Sequence, residues 1–106
     1  MSHTRACVVM TTVSSKEQAE TLARLVLEAR LAACVQIQDI TSYYWWDEKI
    51  NREPEQLLYL KTTADKYQAL EALLIANHSY DTPEILQLPV EAGFEKYLGW
   101  MLKEVG

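Results

Sequence analysis

Residues 33–63 read ACVQIQDITSYYWWDEKINREPEQLLYLKTT, and the period of their apolar positions decides the fold. Ala33, Val35 and Ile37 alternate with Cys34, Gln36 and Gln38, the two-residue repeat of a strand. Asp39 and Ile40 break the alternation, which predicts a bulge or kink there. Tyr43, Tyr44, Trp45 and Trp46 follow, aromatics of the kind that populate strands, and Asp47, Glu48 and Lys49 supply a polar turn. The chain returns through residues 50–63, with Leu58 and Leu60 on one side, Leu57 and Tyr59 on the other, and Pro54 confined to an edge or a bulge. The result is a hairpin whose arms are each more than twice the ~5–6 residues of an average strand. Helices of about 14 residues span only ~21 Å and cannot shield such arms along their length. A bare aromatic tip on a free strand edge invites association, so another subunit is its expected cover.

Outward from the hairpin the periods are equally readable. Residues 5–12, RACVVMTT, form a short apolar, β-branched run that predicts a strand buried on both faces. Ser14 or Ser15, with Glu17 or Gln18 three positions later, signals a helix start. Ala19, Leu22, Ala23 and Val26 then mark an apolar helical stripe running to about Arg30. After the hairpin, Tyr67, Leu70, Leu73 and Leu74 place a second helix over about 64–77, with Thr63 as its expected cap and His78 at its C-terminal end. Pro83 pushes Thr82 out of the helical region, and EILQLPV alternates as a fourth strand. Phe94, Tyr97, Leu98, Met101, Leu102 and Val105 give a terminal helix. The order β-α-β-β-α-β is the split arrangement of a ferredoxin-like α+β sandwich, here with a long hairpin and an added C-terminal helix.

With 106 residues there is room for one hydrophobic core, so the chain reads as a single domain over 1–106. A formal charge of -5 argues against nucleic acid as a partner. No apolar run reaches the ~18 residues of a membrane span, and MSHTR lacks the apolar stretch of a signal peptide. Cys7 and Cys34 form no CxxC or similar pattern and read as free thiols. A cytoplasmic protein without membrane contact is the expectation.

RLAACVQI at 30–37, SYYWWDEKI at 42–50, YLKTT at 59–63, the pattern H-x-Y-x-x-P-E from His78 to Glu84, and YLGWM at 97–101 resemble the CutA divalent-cation tolerance family, in order and spacing over nearly the whole chain. The resemblance implies a homotrimer resembling P-II signalling proteins, with hairpins extending into neighbouring subunits. It also implies tolerance to divalent cations, copper above all, and binding of Cu(II) or another divalent ion. The chain departs from the family's pattern at Thr11, where some members have cysteine, and at Asn77, where some have a histidine adjacent to that of His78. It departs again at Ser79, a common proline, and at Glu48, often glycine.

A copper site needs nitrogen or sulfur donors converging on one ion. His78 is the best donor, with Asp81 or Glu84 as an oxygen partner if the loop folds back; the plainer reading is a helix C-terminal cap favoured by the dipole. Cys34 and Cys7 are soft ligands or small buried thiols. His3, with the amino group and two backbone amides, forms a square-planar nitrogen set if Met1 is retained. Lys61, Thr62 and Thr63 precede a helix and suggest a pocket for a small anionic ligand, or merely a solvated strand end. Tyr44 and Trp46 share one face of the hairpin and either line an intersubunit cleft with Lys61 and Thr62 or pack an interface. The alternative function is therefore a P-II-like regulatory trimer that binds a small anion. Catalysis has little to build on: there is no GxSxG, HExxH or phosphate loop, and neither Ser42 nor Thr62 has a histidine that can be placed beside it.

Overall fold

The computed structural model describes residues 5–106, so the nitrogen set around His3 lies outside the described residues. The elements are β1 (Ala6–Val13), α1 (Lys16–Glu28), β2 (Cys34–Trp46), β3 (Lys49–Thr63), α2 (Tyr67–Asn77), β4 (Ile85–Pro89) and α3 (Glu95–Glu104). All strand pairs are antiparallel and the sheet order is β2-β3-β1-β4. The ferredoxin-like sandwich expected from the order of elements is therefore present.

Alternation sorts the sheet into two faces. Cys7, Val9 and Val13 of β1 with Leu58 and Leu60 of β3 meet Ala19, Leu22 and Val26 of α1 and Leu70 and Leu74 of α2 in one buried core. Ala6 points the other way and joins Leu98 and Met101 in a smaller cluster that seats α3. At the start of α1 the Ser15 hydroxyl accepts from the Gln18 amide at 3.1 Å, one of the two caps that the sequence offered. Thr63 does not cap α2. It leads into a 3-10 turn, Ala64–Lys66, and makes no side-chain cap bond.

The hairpin is longer than the rest of the fold can use. β1 pairs with β3 only from Gln56 to Thr63, while β2 pairs with β3 from Lys49 to Lys61. The distal half is thus a two-stranded ribbon, and the molecule measures 45 × 25 × 22 Å. The register runs unbroken through Asp39↔Gln56 and Ile40↔Glu55, so the expected bulge is absent. Asp39 sits on an edge strand where a polar side chain reaches water, and the loss of alternation marks the end of the core rather than a kink. Pro54 is tolerated because β1 has already ended and β3 is an edge strand beyond Gln56.

Trp46 pairs with Lys49, leaving Asp47 and Glu48 as a two-residue loop with φ of 54° and 59°. That is the type I′ pattern, which favours Asn-Gly because both residues are left-handed. A Glu48→Gly change should stabilise the fold by about 1 kcal/mol, raising the melting midpoint by several degrees in calorimetry. An unchanged or lower midpoint would show that the turn is not strained.

Candidate functional site

Where α2 ends, His78 turns its ring away from the helix and onto β1. The Tyr80 amide donates to Nδ1 at 3.1 Å, so the proton resides on Nε2, which donates to the Thr12 carbonyl at 2.9 Å. The Thr11 hydroxyl lies 3.3 Å from the same nitrogen, and the His78 and Tyr80 rings are tilted with centroids 5.0 Å apart. Burial pushes the imidazole pKa below its ordinary value, against the opposing pull of the Thr12 carbonyl and the Glu55 charge. His78 holds the C-cap position of α2, as the plainer reading expects, but its ring is a neutral tie to β1 rather than a charge stabilised by the helix dipole.

Tyr80 extends this tie to the hairpin. Its hydroxyl donates to Glu55 Oε2 at 2.6 Å, while the Ser42 hydroxyl donates to Glu55 Oε1 at 2.7 Å. Burial and the adjacent Glu55 carboxylate hold the Tyr80 phenol far above its usual pKa, so it remains a donor. Glu55 is only 9% exposed. Beside this network opens a cleft of about 660 Å³ between the hairpin and the loop at 79–84. Tyr43, Tyr44, Trp46 and Tyr80 give it aromatic walls, and Glu53, Glu55, Asp81 and Glu84 give it four carboxylates. None of its lining residues is basic. Burial, then the hydrogen bond to Glu53, raises the Tyr44 phenol pKa as well, so this ring too stays neutral.

The structure brings Glu84, Tyr44 and Trp46 together here but leaves Lys61 and Thr62 elsewhere. Lys61 pairs with Cys34, ten residues before Tyr44 on β2, a separation of roughly 33 Å along the strand. Its ammonium lies 5.7 Å from the centre of the Tyr97 ring. Thr62 is fully buried against the main core. The anion pocket uniting these four residues is therefore not formed within one subunit, because they occupy opposite ends of the hairpin. Sequence reasoning missed Glu53, Glu55 and Tyr80. The available signal was the pair Glu53 and Glu55 flanking Pro54, two carboxylates on one face of the arm opposite the aromatics.

Both ring nitrogens of His78 are engaged with the chain, so ligation through either one breaks a bond that holds Tyr80 or Thr12. Cys7 is buried, and desolvation raises its thiol pKa, opposing the thiolate that a soft metal needs. Among the described residues no group of three His, Cys, Asp or Glu side chains could hold a metal ion. The described side chains of one subunit do not form a coordination cage.

Sheet order, α1 and α2 on one face and the overlong hairpin define a ferredoxin-like subunit of the P-II-like class. The family model described as CutA1 divalent ion tolerance protein matches residues 7–104, and the chain belongs to that family. Divalent-cation tolerance protein CutA of Thermus thermophilus is 41% identical over 100 residues, covering 93% of this chain and 97% of that protein. The chloroplastic Protein CutA 1 of rice is 43% identical over 95 residues, which are 89% of this chain but only 54% of the rice protein. The chain thus spans about half the length of that relative. The structure of the periplasmic divalent cation tolerance protein CutA from Archaeoglobus fulgidus superposes with a TM-score of 0.93 at 37% identity, covering 95% of this chain and 99% of that one.

Proposed function

We propose that the protein is a non-enzymatic homotrimer of the cytoplasm that serves divalent-cation tolerance by holding Cu(II) or another divalent ion loosely at the acidic cleft. The observation that carries this reading is the convergence of Glu53, Glu55, Asp81 and Glu84 on one cleft without a basic side chain. Four carboxylates concentrate cations by their summed field even without a shared coordination sphere. Since no cage is formed, the ion keeps part of its water shell and binds weakly. Glu84 remains in this reading as an oxygen donor. His78 leaves it as an inner-sphere ligand, because its lone pair at Nδ1 is already committed to the Tyr80 amide. The carboxylates lining this cleft lend no support to the anion of the P-II-like alternative.

Calorimetric titration with Cu(II) and Mn(II), on the full chain and on the chain lacking residues 1–4, tests the proposal. Weak binding should survive removal of the terminus and fall several-fold when Glu53→Gln and Glu84→Gln are combined. Affinity that disappears with residues 1–4 and ignores both glutamates would place the ion at the terminus and end the cleft reading.

A further inference from the structure

We propose that His78 is a pH-sensitive latch whose protonation frees the loop at 79–84 from the hairpin. The first ground is how that loop is held. Among the described residues, the stretch 79–83 makes no backbone-to-backbone hydrogen bond. Side chains hold it instead. The Tyr80 amide donates to His78 Nδ1 at 3.1 Å, the Tyr80 hydroxyl donates to Glu55 Oε2 at 2.6 Å, and the Ser79 hydroxyl donates to Gln18 Oε1 at 3.0 Å. The last of these is exposed, where water competes for both partners. The part-buried hold therefore runs through His78 and Tyr80.

The second ground is where an added proton must go. Nε2 already gives its hydrogen to the Thr12 carbonyl at 2.9 Å, so only Nδ1 can take one. There it faces the Tyr80 N–H, donor against donor, and the bond that aims Tyr80 at Glu55 is lost. One proton undoes a chain of contacts from β1 through the loop to β3. The third ground is what surrounds the ring. β1 offers it the Thr11 hydroxyl and the Thr12 carbonyl, the loop offers the Tyr80 ring, and α1 reaches the loop through neutral Gln18. The Tyr80 phenol stays neutral, and the charge acting on the imidazole is that of Glu55, which favours protonation. Burial outweighs it, so the closed latch resists a proton that a freed ring accepts near the ordinary 6.5. Below that value the balance shifts toward the open loop by up to about tenfold per pH unit, until the pH passes the closed ring's own pKa. Every contact in the latch lies within one subunit, so it is complete whether or not a neighbouring copy covers the hairpin. The latch goes beyond the divalent-ion reading, and metal-free protein tests it alone.

Amide hydrogen exchange followed by NMR on the metal-free full chain from pH 8 to 5, corrected for the intrinsic pH dependence of exchange, decides it. Protection of the Tyr80 amide should be flat above about 6.5 and fall up to about tenfold per pH unit below, while Val9 and Leu60 in the core stay protected. His78→Asn leaves a side-chain oxygen to accept from the Tyr80 amide and removes the titration, so its profile should not slope. Low but level protection in that variant would support the latch equally, because the slope is the readout. Tyr80→Phe, which loses the bond to Glu55, should lower protection several-fold at pH 8 and keep the slope. A flat profile in the wild type, the same slope in His78→Asn, or Tyr80→Phe with wild-type protection would overturn the proposal. So would a fall shared by Val9 and Leu60, or one accompanied by a loss of mass in light scattering.

Discussion

Replacing His78 with alanine is expected to cost about 2–3 kcal/mol of stability, because it leaves the Tyr80 amide and the Thr12 carbonyl without their partner in a half-buried setting. The loss should also loosen the loop at 79–84, since the anchored Tyr80 is what carries a hydroxyl to Glu55. The same ring gives the fold a pH dependence of definite sign. Burial holds its folded pKa below the ordinary value of 6.5, so between the folded pKa and 6.5 the unfolded chain binds a proton that the folded chain refuses. His78 therefore contributes fully above about 6.5, and its contribution falls as the pH drops toward the folded value. Protonation puts a second N–H against the Tyr80 amide, two donors face to face. Melting midpoints from pH 8 to 5 should fall more steeply in the wild type than in His78→Ala. Parallel curves would mean that His78 is not the titrating group.

The parts of the fold that were legible in the sequence are those set by local period. The alternation at 33–37 and the stripe from Ala19 to Val26 map onto β2 and α1 because each element buries a single face. The stripe from Phe94 to Val105 gave α3 its range, yet Phe94 itself is 73% exposed, so the stripe overstates what this subunit buries. Breaks in pattern misled where solvent, not geometry, was their cause, as at Asp39. The site was less legible for a related reason. His78 drew notice as a donor, but its engagement depends on Thr12, 66 positions away, and on the direction of the Tyr80 amide. Lys61 and Tyr44 belong together only across an intersubunit cleft, because within one subunit the register separates them by most of the hairpin's length. Charge in the cleft comes from two segments, 53–55 and 81–84, that become neighbours only when the chain is folded.

Trp46→Ala is expected to break the proposed trimer while leaving the subunit folded. Within one subunit Trp46 is 63% exposed, and Trp45, Tyr43 and Ile50 around the tip are 71%, 68% and 65% exposed. So large an aromatic surface at the end of a two-stranded ribbon has no cover from α1 or α2, whose buried residues all face the other end of the sheet. If neighbouring copies supply the cover, each tip buries a tryptophan of the kind whose truncation costs ~2 kcal/mol or more. Closed threefold symmetry repeats the loss at every interface, for ~6 kcal/mol per assembly. Light scattering should then report a mass near three times 12.2 kDa for the wild type and a concentration-dependent fall toward one subunit for the variant. Circular dichroism should change little, because no core residue touches the substituted position. A wild type that stays at one subunit at micromolar concentration would refute the assembly. A variant that stays fully trimeric would show that Trp46 carries no contact the assembly depends on.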